Sequence, residues 1–482
     1  MNYKSLLSNA GVAIIAQGVT TVLSVVISLL VPKVLGVEQF GYWQLFILYM
    51  IYTPLATFGV NDGLYLLNGG RHRDELDKRS IGSQFFLLTA VQLILVVLAV
   101  ILVPLANFGV SRTFVIVAAA IYMPIYCGKG FIGYLFQAIN ETKLFSVASV
   151  IGNVLFLVPL AVLLVMRVST FQWYVVFYCL GGLGALMYCF WKGWDLVWIR
   201  PLPLKAAWTD MVGSARVGVK LLFANLAALL IMGVMRFVID GAWDITTFGE
   251  VSFSLTLANF FLVFVNQVSM VLFPELRRAG RDELVGVFAR GRDMLEVILP
   301  LVYVGYFPVR WLMGLWLPQY AASLVLFALF LPVCLFDGKM SLIGGTFLKV
   351  LRKEAALLRL NVLAVVVSTG GALFGGFVLH SIHVVILSAV MAIIVRSALA
   401  EWLVAKSIGG ESKGGVWLEL AFTAVFMVLA TVAPWTIAVP LVLLCYAGMV
   451  AFHWRRVLEI VARVRGMHSR TGRKSEPRHT ER

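Results

Sequence analysis

The chain has 482 residues, of which 61% are hydrophobic and only 13% charged, with a net charge of +15 and a mean hydropathy of +0.93. Soluble globular domains carry about a quarter charged residues. A water-soluble enzyme, a secreted disulfide scaffold and a disordered adaptor are therefore excluded, and the composition predicts an all-α polytopic membrane protein.

At about 20 apolar residues per span, the hydrophobic runs predict roughly 14 transmembrane helices. The first six, at 9–31, 41–68, 81–104, 113–137, 144–166 and 171–191, make an N-terminal six-helix bundle over residues 1–191. The first run has no clear small-residue cleavage site and reads as a retained span. A cytoplasmic linker, 192–216, follows. Its Trp194-Asp195-Leu196-Val197-Trp198 and Pro201-Leu202-Pro203 stretches read as an interfacial segment. The runs at 217–239, 247–273, 294–316, 320–348, 355–378 and 382–404 form a C-terminal six-helix bundle over 217–404, with a short amphipathic helix expected on the cytoplasmic face from Glu275 to Arg292. Two extra helices, 416–433 and 435–453, lie within 405–453, and 454–482 is a basic cytoplasmic tail.

Distribution decides what the positive charge means. With the N-terminus inside, the alternating segments assigned to the cytoplasm hold 31 of the 39 Lys and Arg residues, and the outer segments hold 4: Lys33, Arg112, Arg167 and Arg310. Basic residues flanking spans select the cytoplasmic side, so both termini are expected inside a bacterial cytoplasmic membrane. The charge is a topology signal and not a nucleic-acid footprint, and the tail is expected to lie near anionic lipid headgroups.

The five cysteines (Cys127, Cys179, Cys189, Cys334, Cys445) lie in apolar runs without metal-ligand spacing. The sequence contains no phosphate-binding loop, no H-E-x-x-H and no nucleophile elbow. Nothing in it points to an enzyme, a metal or a cofactor.

An internal repeat is visible at an offset of 208 residues. Phe40-Gly41 falls on Phe248-Gly249, Arg73-Asp74-Glu75-Leu76 on Arg281-Asp282-Glu283-Leu284, Pro124 on Pro332, and Asn153-Val154-Leu155 on Asn361-Val362-Leu363. A further shift of two residues places Gly128-Lys129 on Gly338-Lys339. Each copy holds six spans, an even number, so the copies enter the membrane in the same orientation. They should be related by a pseudo-two-fold axis along the membrane normal, an arrangement common among transporters.

Ionisable side chains at bilayer depth are costly and usually face a polar cavity or a partner. Lys129 and Lys339 occupy matched positions roughly 12–15 Å from the cytoplasmic ends of their helices, beyond the reach of a lysine stem. They are the leading candidates for a cationic cavity that binds an anion, most simply a phosphate. Arg236 precedes Asp240 by one helical turn, a spacing that allows an ion pair, and either structural pairing or substrate binding fits. Arg396 lies nearer the cytoplasmic end, where both snorkelling and cavity lining are open to it. Asp62 and Asp337 are expected to neutralise neighbours or to carry a coupling proton.

The stretch Leu35-Gly36-Val37-Glu38-Gln39-Phe40-Gly41, after a first apolar helix, resembles the Leu-Gly-x-x-x-Phe-Gly signature of the polysaccharide transporter family, which includes the Wzx-type flippases. Arg236-Phe237-Val238-Ile239-Asp240, followed by Phe248-Gly249, looks like the opening of that family's second bundle. The resemblance places the chain in the multidrug/oligosaccharidyl-lipid/polysaccharide exporter superfamily. It implies a V-shaped pair of bundles that carries an undecaprenyl-diphosphate-linked oligosaccharide (an O-antigen, capsule or exopolysaccharide unit) across the membrane by alternating access. A cationic cavity for the diphosphate is also implied, as are a glycan polymerase and glycosyltransferases as partners beside the lipid-linked substrate and membrane lipids. A core of 12 helices is usual there, and the added pair resembles that of the lipid II flippases. The rival readings are lipid II export, a drug or cation antiporter using Asp62, and a polytopic polymerase or ligase, which the short outer loops disfavour.

Overall fold

A computed structural model of the chain describes residues 17–278, 281–409 and 415–452, apart from the side chains at 264, 266–278, 281–283 and 415. The basic tail lies outside these residues, as does the start of the first expected span. The regular elements are helical. In chain order they are α1 (Gln17–Leu29), α2 (Val31–Tyr52), α3 (Val60–Asn68), α4 (Lys78–Leu105), α5 (Val110–Ala138), α6 (Thr142–Val165), α7 (Phe171–Lys192), α8 (Trp194–Val197) and α9 (Leu204–Ala242). They continue with α10 (Ile245–Arg278), α11 (Arg281–Ile298), α12 (Leu301–Trp316), α13 (Ala321–Lys339), α14 (Gly345–Val350), α15 (Glu354–Leu373), α16 (Ile382–Ile408) and α17 (Gly415–Val432), and end with α18 (Trp435–Phe452).

Every expected apolar run contains helix. Among the described residues, 11 helices are long and apolar enough to cross a membrane, and 12 if α1 and α2, bent by 69° at their junction, count as one span; α17 is a shorter apolar helix. The protein is a multi-pass membrane protein.

Three expected boundaries differ. The run 41–68 is broken: α2 ends at Tyr52, Thr53–Thr57 is a 3-10 turn, and Phe58 and Gly59 both adopt positive φ before α3 begins. Pro54 supplies no backbone N–H to continue the ladder, and Gly59 takes the left-handed conformation at little cost. The linker is also shorter than expected, because α9 begins at Leu204, directly after Pro203. At 1.5 Å per residue its 39 residues reach about 58 Å, well beyond a ~30 Å hydrocarbon core. It is therefore too long to lie wholly within the bilayer core. Finally, Glu275–Arg292 is not one short helix. It is divided between the end of α10 and α11, and α11 continues towards α12 as a single apolar stretch, Leu284–Trp316.

The family-like Leu35-Gly36 pair has a local role. Gly36 interrupts α2 with φ 73° and ψ 175°, a conformation that a side-chain-bearing residue resists.

The chain divides into two compact units. One comprises the residues up to Thr256 with Ala372–Val385, and the other Leu257–Gly371 with the residues from Ile386 onward. In the first unit α3 lies on α9 through small residues. A Cβ on Gly63 would overlap the Ser214 carbonyl, and one on Gly218 would overlap the Gly59 carbonyl. Gly59 and Gly63, like Ser214 and Gly218, are spaced i, i+4, the small-xxx-small pattern that lets membrane helices approach closely. The repeat-matched glycines meet as well. A Cβ on Gly249 would stand 2.5 Å from the Val37 carbonyl oxygen and 3.2 Å from the Gly41 Cα, while one on Gly41 would overlap the Ile245 carbonyl. Val37 and Ile245 are 208 positions apart, as are Gly41 and Gly249, so the contact is reciprocal in the manner of an isologous interface.

The first unit is filled at one end by Phe85, Phe131, Ile132, Leu135, Phe136, Leu196 and Val197. In the second unit the core joins Leu284 and Phe288 of α11 to Met340, Phe347, Val404 and Ile408. Helix position decides burial. The most apolar window of α4 is 11% buried, with Leu98, Ile101 and Leu102 left exposed for lipid, whereas the stretch Pro318–Val350 around α13 is 78% buried.

Candidate functional site: charges within the membrane

Lys129 sits in α5, five residues after Pro124, in the first unit. Its flanking glycines allow close approach: a Cβ on Gly128 would touch Leu186 and Phe85, and one on Gly130 would stand 3.2 Å from the Asn61 side-chain nitrogen. Asn61 is fixed in turn by donating to the Cys127 carbonyl at 3.2 Å, while its own Oδ1 is buried without a hydrogen-bond partner among the described residues. The Lys129 ammonium stands 5.5 Å from the centre of the Tyr126 ring. No carboxylate pairs with it among the described residues. A cation–π contact stabilises an ammonium but leaves its charge available to an anion.

Asp62, next to Asn61, is also buried. It makes no ion pair among the described residues.

Arg236, in α9, is buried and points back at α2. Its Nη2 donates to the Gln44 backbone carbonyl at 3.0 Å, to Gln44 Oε1 at 3.2 Å and to Ser252 Oγ at 3.2 Å. The guanidinium also lies 5.2 Å from the Phe248 ring centre. Gln44 and Ser252 are repeat counterparts, 208 positions apart, so one arginine is held by both copies. The pair with Asp240 that the spacing allows does not form, because Asp240 accepts instead from Arg112 Nη2 at 2.6 Å. Arg112 lies at the start of α5, where it meets the end of α9. Arg236 is thus solvated by neutral acceptors and its Nε is left bare.

The second unit treats its cations differently. Lys339 Nζ is 2.8 Å from Glu419 Oε2 of α17 and 2.9 Å from Glu401 Oε2 of α16, with side-chain exposures of 3%, 1% and 5% respectively. Arg396 of α16 is ion-paired with Asp337 of α13 and also donates to Asn361 Oδ1 at 3.4 Å. Of the residues singled out in the sequence, Asp337 and Arg396 are therefore brought together, and the ammonium of Lys339 is occupied by carboxylates. Sequence reasoning weighed lysines, arginines and aspartates and missed Glu401 and Glu419. The signal was present, since both are ionisable residues within otherwise apolar runs.

Outside the spans, Arg73 ties three segments together. Its Nη1 reaches Glu141 at 2.6 Å, and its Nη2 reaches Asp195 and the Lys192 carbonyl, both at 2.6 Å. Lys78 adds a bond to Asp195 at 3.0 Å. The Arg73 hydrogen bond pulls the Asp195 carboxyl down to about 2.

No family model and no curated protein matches this chain. Solved structures do. A lipid II flippase, MurJ, in an inward closed conformation aligns over 94% of this chain and 100% of its own with a TM-score of 0.61 at 12% identity. A multidrug resistance MATE transporter of the MOP superfamily, in an inward-facing conformation, aligns over 81% of this chain and 94% of its own with a TM-score of 0.57 at 14% identity. A MATE protein in complex with MaL6 gives 0.54 at 13% identity over 84% and 96%. The chain has the fold that these flippase and transporter structures share.

Proposed function

We propose that the chain is a transporter of the multidrug/oligosaccharidyl-lipid/polysaccharide exporter superfamily. In this reading it is a flippase that moves an undecaprenyl-diphosphate-linked oligosaccharide across a bacterial cytoplasmic membrane by alternating access, with both termini inside. The observation that carries the reading is Lys129, an ammonium at membrane depth beside a tyrosine ring and paired to no carboxylate among the described residues. A cation left in that state recognises an anionic group, because the ligand's charge replaces the solvation that the bilayer removes. Arg236, held by neutral acceptors among the described residues, is a second cation of this kind. Lys339 and Arg396, which already face carboxylates, are assigned to holding the second unit together. The likeness in fold to a lipid II flippase supports a lipid-linked cargo, and glycosyltransferases and a polymerase would act on either side of the transport step.

A second reading, a cation antiporter, is favoured by Asp62, a buried carboxyl with no ion pair among the described residues. The two separate cleanly. Depleting the protein and extracting lipids should reveal an undecaprenyl-diphosphate glycan held on the inner leaflet if the flippase reading is right. Unchanged lipid intermediates, with no redundant flippase present, would instead favour the antiporter.

A further inference from the structure

The charges around Lys339 do not balance. Glu401 of α16 and Glu419 of α17 both reach its ammonium, at 2.9 and 2.8 Å. Fully ionised, this triad would carry a net charge of −1 among side chains that are at most 5% exposed. Among the described residues, neighbouring charges do not cancel it. On α11, Arg292 lies beside Asp293 at 3.1 Å and Glu296 at 3.6 Å. On α13 and α16, Asp337 and Arg396 are paired with each other. The Tyr303 hydroxyl of α12 shares a hydrogen bond with Thr423 at 2.9 Å, and the Cys334 thiol donates to the Ala258 carbonyl at 3.3 Å. Arg292 and Arg396, the described cations named here, thus each have a carboxylate of their own.

A second observation points the same way. Oε1 of Glu401 and Oε1 of Glu419 are both buried with no hydrogen-bond partner among the described residues. An ionised carboxylate has the greatest need of donors, and leaving two such oxygens bare while burying an unbalanced charge is strongly unfavourable. One proton on either carboxylate removes the net charge and makes a bare oxygen tolerable.

We propose that Glu401, Lys339 and Glu419 form a proton-binding site in which the two carboxylates share one exchangeable proton. The proton belongs to the pair and to neither residue alone. Release breaks one carboxylic O–H bond, passes the proton to water and leaves the triad at −1. That state is stable only when water enters the seam between α13, α16 and α17. Proton release and loosening of α17, a helix outside the 208-residue repeat, are therefore one event, and the site is closed in the conformation described here.

Infrared spectroscopy of the full-length protein in lipid vesicles, with isotopically labelled glutamate, tests this without reference to any transported cargo. At neutral pH the wild type should show the carbonyl stretch of a protonated glutamic acid. E401Q and E419Q should each lose it, because a single carboxylate beside an ammonium needs no proton, and E296Q should keep it. No protonated-glutamate band in the wild type, or a band that survives in E401Q or in E419Q, would overturn the proposal. The isosteric amides keep the side-chain volume, so either variant that folds decides the matter even if the other does not.

Discussion

Lys129 and Lys339 begin from the same sequence feature, a Gly-Lys pair in the fourth span of each repeat, and end in opposite surroundings. Among the described residues Lys129 faces a tyrosine ring and no carboxylate, while Lys339 is gripped by two. The spacing from the matched prolines accounts for the divergence. Lys129 follows Pro124 by five positions and Lys339 follows Pro332 by seven. Two extra residues turn a side chain about 200° around a helix of 3.6 residues per turn. A repeat preserves the helix but not the direction of every side chain, and a two-residue slip is enough to move a cation from one face of a helix to the other.

The largest effect should come from removing the paired lysine. K339M strands two buried carboxylates, and breaking a buried ion pair costs about 3–5 kcal/mol. Thermal unfolding in detergent should show a large loss that K339M/E401Q/E419Q recovers in good part. A K339M protein as stable as wild type would mean that the ion pairs do not hold α16 and α17.

K129A should do the reverse. With no ion partner lost, its stability should stay near wild type, while cargo translocation falls by roughly 10–100-fold, the equivalent of a charge-assisted contact worth about 1.5–3 kcal/mol. Normal translocation by K129A would remove this lysine from the binding site.

Close packing in the first unit offers a control that touches no charge. G63A places a methyl group against the Ser214 carbonyl and should cost about 1–3 kcal/mol by overpacking, seen as a lower melting temperature. An unchanged melting temperature would show that α3 and α9 can part without penalty.

The smallest effect is expected at Asp195, whose side chain is 47% exposed. Its carboxyl is held down to about 2 in the folded protein, below the ordinary ~3.9. The stabilisation is therefore present above about pH 4 and is lost as pH falls towards 2. D195N should remove about 0.2–1 kcal/mol at neutral pH and flatten the acid limb of a stability profile. An acid limb identical to that of the wild type would place the sensitivity elsewhere.

The helices were legible in the sequence because a bilayer demands long apolar runs, and each of those runs contains helix. The breaks were less so. Pro54 marked a weak point, but the positive φ at Gly59 goes with its close packing against Gly218 and Val219 of α9, which no local pattern carries. The candidate charges were legible as a set, since ionisable residues stand out in apolar runs. Their pairing was not. Arg236 and Asp240 are one turn apart, yet Asp240 is taken by Arg112 from α5, and Arg236 by Gln44 from α2. Partners that distant in sequence are chosen by helix packing and not by spacing.

The most direct test of the central claim is to deplete the protein in its host, complement with wild type or K129A, and measure lipid-linked glycan on the inner leaflet. The account predicts that an undecaprenyl-diphosphate glycan accumulates on depletion, that the wild type clears it and that K129A, inserted at normal levels, does not. No accumulation on depletion, or full clearance by K129A, would contradict it.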